Sequence, residues 1–172
     1  MNKIIAKQKL SENVYRMDVL APLIASERRA GQFVILSLDD NYAERIPLTI
    51  ADADPVKGTI SLIYQVVGAT TRKLANLNPG DQIDNLLGPL GKPTHIEKFG
   101  TVVCVGGGIG VAPMHPIAQE MKKAGNHLIS IIGARSKDLV ILEKELKEIS
   151  DELIVCTDDG SYGRKALVTE PL

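Results

Sequence analysis

Short apolar runs separated by turn-forming residues fill the chain up to about residue 95. These runs predict strands, for example at Val14–Leu20, Gln32–Leu38, Ile46–Ala51 and Thr59–Val67, and alternation of apolar and polar residues is clear in Ser61–Val66. The pattern predicts one short helix among them, from Thr70 to Leu77. Many short strands with turn residues at this spacing are typical of a small antiparallel barrel.

From about residue 100 the pattern changes to apolar runs that alternate with helical periodicity. Thr101–Val105, Leu128–Ile132 and Leu153–Cys156 are continuous apolar runs, as expected of strands buried on both faces of a parallel sheet. Ala112–Ala124, and the segment that Ser136 can cap, carry apolar residues at helical spacing. The order strand, helix, strand, helix, strand predicts the start of a dinucleotide-type sheet.

The change of pattern predicts two domains, residues 1–95 and 96–172, with the boundary inside Gly91–Gly100. The predicted fold class is β plus α/β: a small antiparallel barrel followed by a parallel-sheet nucleotide-binding domain. Three parallel strands leave one edge of a doubly wound sheet uncovered. We therefore expect the second domain to be incomplete at its C-terminus and the chain to be an excised fragment.

Charge and cysteine content exclude several classes of protein. The 20 basic and 21 acidic side chains nearly cancel and aromatic residues make up 3%, so the field and the stacking surface that nucleic acid requires are missing. Two distant cysteines form neither a disulfide framework nor a set of metal ligands, which favours a reducing, cytoplasmic compartment. Charges, glycines and prolines interrupt the apolar stretches, so we expect no signal peptide and no membrane span.

The strongest chemical signal is the segment GGGIGVAP, residues 106–113, between a predicted buried strand and a predicted helix. Glycines let the backbone approach a ligand closely, and the start of the helix offers N–H groups to a pyrophosphate. The alternative is a tight turn with no ligand, but four glycines in five residues exceed what a turn needs, so we favour phosphate binding. Val111 breaks the G-x-G-x-x-G spacing, and no Walker lysine follows. The candidates are Gly106, Gly107, Gly108, Gly110 and Pro113.

Weaker candidates follow the next two strands and lie in the first half. Arg135 suits a 2′-phosphate but is equally well explained as a solvated loop residue. Asp158 and Asp159 follow the third strand and are either a nucleotide contact or a local turn. Arg45, beside a strand, and Gly68–Thr71, at the start of the short helix, together predict a second anion site.

These motifs occur together in one known family. The segments ERIPLTIAD (44–52), VGATT (67–71), GGGIGVAPMHPIA (106–118) and TDDGSYGRKALVT (157–169) resemble the ferredoxin–NADP reductase superfamily over essentially the whole chain. Within that superfamily the chain is most similar to the iron–sulfur electron-transfer subunits. These include the subunits of dihydroorotate dehydrogenase B and of NADH-dependent reduced ferredoxin:NADP oxidoreductase, the latter also known as a sulfide dehydrogenase subunit.

The resemblance implies a role for each matching residue. It places FAD on the barrel and NAD(P) on the second domain. The residues assigned to FAD are Arg45 at the pyrophosphate; Pro47, Leu48 and Thr49 along the isoalloxazine, with Thr49 near N5 as the catalytic candidate; Tyr64, Gln65 and Val66 at its border; and Gly68, Thr70 and Thr71 at the diphosphate. The glycine loop and Pro113 would hold the nicotinamide nucleotide, with Arg135, Asp158 and Asp159 at its adenosine or nicotinamide side.

The implied activity is that of an FAD-dependent NAD(P)H:ferredoxin-type oxidoreductase subunit. It would pass a hydride between NAD(P)H and FAD, and single electrons onward to a larger catalytic flavoprotein subunit or to ferredoxin. A [2Fe–2S] cluster is expected only in a longer, full-length chain, because Cys104 and Cys156 cannot supply four thiolates. One alternative is a regulatory nucleotide-binding module without flavin, which would leave Arg45 without a function. The other is a flavin-free dehydrogenase, which would need a proton-transfer residue that we do not find in the sequence.

Overall fold

A computed structural model describes residues 2–38 and 44–172. The chain divides into two compact units, residues 1–94 and 95–172, and each is described by itself. In the described ranges, no helix has both the length and the apolar character needed to cross a bilayer.

Six antiparallel strands form the sheet of the first unit. In chain order they are β1 (Ile4–Ser11), β2 (Val14–Leu20), β3 (Phe33–Ser37), β4 (Ile46–Asp54), β5 (Thr59–Gln65) and β6 (Asn85–Leu90). Their order across the sheet is β1-β2-β5-β4-β3-β6. The antiparallel architecture predicted for this half is confirmed.

Backbone hydrogen bonds join the two edges of this sheet. The Ile4 N–H donates to the Asp81 carbonyl at 2.8 Å, and the Gly80 N–H donates to the Ile4 carbonyl at 2.9 Å. Lys3 and Gln82 form an isolated antiparallel bridge beside them. Because this segment leads into β6, the sheet closes on itself as a barrel, which leaves little unpaired edge.

Period-two alternation fills the interior of the barrel. Met17 and Val19 on β2 and Ile60 and Leu62 on β5 are fully buried; Asp18, between the first pair, is half-buried, whereas Ser61, between the second, is also buried. Burying each of these side chains contributes about 1.5–3 kcal/mol. Leu74, also fully buried, adds a side chain from outside the sheet.

Two short helices, α1 (Pro22–Glu27) and α2 (Ala69–Asn76), accompany the barrel. The prediction of a single helix in this half was wrong, because α1 was not expected. It begins at Pro22, whose fixed φ suits a first helical turn, and it buries Ile24 and Ala25. Six residues with one buried pair are too short to produce a recognisable helical period.

The second unit is a parallel sheet of four strands: β7 (Thr101–Gly107), β8 (His127–Ala134), β9 (Glu152–Thr157) and β10 (Arg164–Lys165). Their order is β10-β9-β8-β7. Helix α3 (Val111–Lys123) packs against β7 and β8, and helix α4 (Glu143–Ile149) packs against β8, β9 and α3. Both helices therefore cover the same face, and the predicted parallel sheet with helices is confirmed.

Two details of the second unit differ from the sequence pattern. β10 is a fourth parallel strand, and its two exposed residues carry no apolar signal. The helix predicted from Ser136 is interrupted, because a 3-10 turn at Lys137–Leu139 is followed by Leu142 in the left-handed conformation with φ 57°. Ile141 and Leu142 are buried, so their apolar character reflects core packing of an irregular segment and not a helix face.

Candidate functional site

An open seam lies between β4 and β5 at one end of the barrel. The β4–β5 ladder begins at the pair Ile50–Leu62 and runs away from this end, whereas residues 46–49 of β4 pair with β3. The end of β5 pairs with β2 instead, as far as Gln65. Within the described ranges, no ladder pair joins residues 46–49 to residues 63–65. The two strands therefore part there, which leaves backbone groups on their facing edges without a ladder partner.

The seam brings together one set of residues predicted from the sequence. Pro47 is exposed, and Leu48 and Thr49 are half-buried on the β4 side; Gln65 is half-buried at the end of β5, and the half-buried Val66 follows it. Both sides thus present accessible groups to a flat ring system. The resemblance places the isoalloxazine ring against these residues.

Helix α2 begins three residues after β5 and presents its N-terminus at the same end. The Thr71 hydroxyl accepts hydrogen bonds from the N–H groups of Val67 (3.0 Å) and Gly68 (2.9 Å) and donates to the Gly68 carbonyl at 3.1 Å. These hydrogen bonds join the turn before the helix to its first turn. No atom lies within 4 Å of the place that a Cβ would occupy on Gly68, so a ligand can approach the first turn closely.

One contact joins α2 to the segment that leads into β4. The hydroxyl of Thr70, in the first turn of α2, donates to a carboxylate oxygen of Glu44. Glu44 precedes Arg45, so the segment that carries Arg45 lies close to the start of α2. The Arg45 side chain is exposed and accessible to a phosphate.

Tyr64 differs from its neighbours because its side chain points into the barrel. It is 1% exposed, packs against the Tyr15 ring at a centroid distance of 6.1 Å, and its hydroxyl has no hydrogen-bond partner among the described residues. Burial, and to a lesser degree the neighbouring Tyr15, raises the pKa of Tyr64 above its ordinary value, so the hydroxyl stays protonated. Only the backbone of Tyr64 is left to border a ligand in the seam.

The unpaired hydroxyl makes Tyr64→Phe a stabilising substitution. A buried donor without a partner costs about 1–3 kcal/mol, and phenylalanine keeps the ring without that penalty. We expect the free energy of unfolding to rise by about 1 kcal/mol, measured by urea denaturation. Tyr15→Phe, at a half-buried position, is the control and should change stability little. A loss of stability in Tyr64→Phe would show that the hydroxyl has a partner in solution.

The four glycines at the end of β7 and in the turn after it have different roles. A Cβ on Gly106 would lie 3.0 Å from Val111 Cα and 3.2 Å from Met114 Sδ, so this glycine permits the close packing of α3 on β7. Gly108 adopts φ +54°, where a side chain is strained. A Cβ on Gly108 or Gly110 would meet no atom within 4 Å, whereas one on Gly107 would lie 3.8 Å from Val168. Gly108 and Gly110 thus line open space, as a cradle for a phosphate requires.

The loops after β8 and β9 are joined at the carboxyl edge of the parallel sheet. The Asp158 N–H donates to the Ala134 carbonyl, and the Asp159 N–H donates to the Arg135 carbonyl, both at 3.1 Å. These bonds extend the β8–β9 ladder and bring Arg135 beside Asp158 and Asp159, as the sequence order suggested. Asp159 Oδ1 accepts from the Ser161 N–H at 2.9 Å, and hydrogen bonds from Ser161 hold the pKa of Asp159 below its usual value.

The strand register places these loops beside the glycine loop. Gly107 pairs with Gly133 across β7 and β8, and Ala134 pairs with Thr157 across β8 and β9. The three chain segments that leave β7, β8 and β9 therefore start at one edge, where ligands of open parallel sheets bind. Pro113 lies half-buried in the first turn of α3, next to the glycine loop.

The sequence analysis missed two residues that contact α2. Glu44 reaches Thr70, and Lys7 of β1 donates from Nζ to carbonyls at the end of α2. Glu44 stands inside the segment ERIPLT and could have been found from it. Lys7 could not, because its partners Ala75 and Leu77 are 68 and 70 residues away in the chain.

Comparisons with known proteins agree with this geometry. No family model matches the chain. The chain is 45% identical over 172 residues to a dihydroorotate dehydrogenase B (NAD(+)) electron transfer subunit homolog from Thermotoga maritima, and it spans 60% of that relative's length. It is 34% identical to the dihydroorotate dehydrogenase B (NAD(+)) electron transfer subunit of Bacillus cereus strain G9842, covering 98% of this chain and 67% of the relative.

Solved structures of FAD- and NAD-binding oxidoreductases also match the chain. The structure of an NADH-dependent reduced ferredoxin-NADP oxidoreductase, described in a study of flavin-based electron bifurcation, matches 99% of this chain and 61% of its own chain, with TM-score 0.93 and 44% identity. The flavohem-like FAD/NAD-binding domain of a nitric oxide dioxygenase from Vibrio cholerae matches at TM-score 0.80 with 15% identity, which reflects the fold alone.

The barrel and the parallel sheet define a ferredoxin reductase-like fold. Within that class, the chain belongs to the family of the electron transfer subunits of dihydroorotate dehydrogenase B and their homologues. The homologues are electron-transfer subunits of oxidoreductases, and this chain spans about three fifths of the length of the Thermotoga maritima relative.

Proposed function

We propose that this chain is the FAD- and NAD(P)-binding part of an oxidoreductase subunit that passes a hydride between NAD(P)H and FAD. Single electrons then leave for a larger catalytic flavoprotein subunit or ferredoxin. The observation that carries the proposal is the open seam between β4 and β5, together with the start of α2 at the same end of the barrel. The family and its electron-transfer members support it.

The residues of the first unit suit FAD by size and chemistry. The seam offers backbone groups and half-buried side chains to a ring, while Gly68 leaves space for a diphosphate at the positive end of α2. Arg45 supplies an exposed guanidinium beside that end, which adds a charge-assisted hydrogen bond to a phosphate. Thr49, half-buried on β4, is assigned the position nearest the reacting nitrogen of the ring.

The chemistry itself belongs to the flavin, which accepts two electrons together and can release them one at a time. The protein binds the flavin, orients it and shields it from water. In the second unit, Gly108 and Gly110 leave open space for the nucleotide phosphates. We assign the rest of the nucleotide to Arg135, Asp158 and Asp159, which lie together at the carboxyl edge of the same sheet. An arginine at this position favours the 2′-phosphate of NADPH, whereas the two aspartates disfavour it. Experiment therefore decides whether NADH or NADPH is the hydride donor. The [2Fe–2S] cluster that the resemblance implies is expected only in a longer, full-length chain.

The visible spectrum of the purified protein tests the proposed function. After incubation with FAD and removal of excess, we expect a flavin absorption band that anaerobic NADH or NADPH bleaches. The nucleotide that bleaches it names the donor. A protein that fails to take up FAD but binds NAD(P)H would overturn the flavin assignment and leave a nucleotide-binding module in its place.

Arg45 provides a sharper version of this test. Arg45→Gln removes the guanidinium but keeps a side chain of similar reach, so FAD affinity should fall about 10- to 100-fold, as expected for the loss of hydrogen bonds to a charged group. The dissociation constant is measured by quenching of flavin fluorescence. Arg29→Gln, at another exposed arginine of the first unit, controls for the change in net charge. Equal weakening in both variants would contradict a specific role of Arg45.

A further inference from the structure

Lys7 is tied to the C-terminal end of α2. Its Nζ donates to the Ala75 carbonyl and, at 2.8 Å, to the Leu77 carbonyl, and it lies 5.2 Å from the centroid of the Tyr15 ring. The last carbonyls of a helix have no intrahelical partner and carry the negative end of its dipole. The half-buried ammonium group of Lys7 donates hydrogen bonds to these carbonyls and places a positive charge at the negative end of the dipole. This contact therefore fixes the last turn of α2 against β1.

Helix α2 depends on such contacts for its position. It has eight residues, fewer than an isolated helix needs to be stable in water, so packing and end contacts hold it. Leu74, the sixth of its eight residues, is buried in the barrel core, and Thr70, in its first turn, contacts Glu44. Lys7 is therefore the charged contact at the end opposite to the proposed diphosphate site.

We propose that Lys7 is a positioning residue for the flavin diphosphate and acts through α2 without touching the cofactor. The inference rests on the proposed FAD site. With Leu74 as the pivot, movement of the last turn changes the direction of the first turn, where N–H groups must meet phosphate oxygens at hydrogen-bond distance. Such bonds weaken steeply when distance and angle degrade. Loss of Lys7 should therefore affect binding of the diphosphate more than binding of the ring.

A comparison of FAD with riboflavin separates the effect on binding of the diphosphate from the effect on binding of the ring. FAD carries the diphosphate, whereas riboflavin has the same ring and no phosphate. In Lys7→Met we expect the dissociation constant of FAD to rise about 10-fold and that of riboflavin to change less than about 2-fold, measured by flavin fluorescence. Lys7→Arg should restore most of the FAD affinity, because a guanidinium can bind the same carbonyls. Lys9→Met removes the same charge from an exposed position on the same strand and should leave both constants unchanged.

The outcomes distinguish this inference from the proposed function. Suppose that the unmodified protein binds FAD. If Lys7→Met then weakens the binding of FAD and riboflavin equally, or changes the binding of neither, Lys7 has no positioning role. If the unmodified protein does not bind FAD, the proposed function fails and this inference fails with it. Should Lys7→Met not fold, Lys7→Gln keeps an uncharged NH2 donor on a shorter side chain, and the same ratio of FAD to riboflavin affinity tests the positioning role.

Discussion

Substitution of Gly110 by valine is expected to slow reduction of the bound flavin by NAD(P)H about 100-fold at limiting nucleotide, a loss of roughly 2.7 kcal/mol in binding. Gly110 has φ −62° and ψ −17°, which any residue adopts, and no atom lies within 4 Å of the place for its Cβ. Valine therefore fits the protein itself. It fills the space that we assign to the nucleotide phosphates, so the ligand is excluded while the fold is retained.

Anaerobic stopped-flow measurements of flavin bleaching test this expectation, with thermal unfolding as the check on folding. Gly68→Val is the reciprocal variant, because Gly68 also has a negative φ of −125° and open space at its Cβ position. It should lower FAD affinity and leave nucleotide binding intact. Wild-type reduction rates in Gly110→Val would contradict the assignment of the glycine loop to the nucleotide.

Replacing Asn126 by alanine is expected to destabilise the second unit by about 3 kcal/mol. Asn126 is 3% exposed and makes four hydrogen bonds that join the start of this unit to α3. Its Oδ1 accepts from the N–H groups of Phe99 (2.7 Å) and Gly100 (3.0 Å), and its Nδ2 donates to the carbonyls of Glu97 (2.9 Å) and Met121 (2.8 Å). Alanine leaves all four backbone groups without this partner.

Urea denaturation followed by circular dichroism measures the loss. Asn126→Asp is the matched variant, since it keeps the acceptor for Phe99 and Gly100 but turns a carboxylate oxygen toward the carbonyls of Glu97 and Met121. It should also be destabilising, because two acceptors then face each other. A loss below about 1 kcal/mol in Asn126→Ala would mean that water replaces the amide without cost.

The sequence was most informative where a local rule applies. Alternation along β2 and β5 predicted strands that the structure contains, and the glycine loop between a buried strand and a helix marked the start of α3 within one residue. These signals are local, since period and backbone freedom are properties of a few neighbouring residues. The resemblance then added the family, which the comparisons confirm.

Where the signals failed, burial or pairing outweighed local pattern. The apolar residues after Ser136 suggested a continuous helix, but Leu142 turns to a left-handed conformation and is buried in an irregular segment. Helix α1 and strand β10 were missed because each is too short to show a period.

By itself, the sequence predicted two units of different architecture, a glycine loop at the edge of a parallel sheet and an arginine beside a strand. Only the tertiary structure decided that β4 leaves β5 at Ile50, that Glu44 meets Thr70, and that Lys7 holds the far end of α2. It also separated Gly106, which packs, from Gly110, which faces open space. The physical reason is that register and long-range contacts depend on residues far apart in the chain, whereas periodicity and turn chemistry depend on near neighbours.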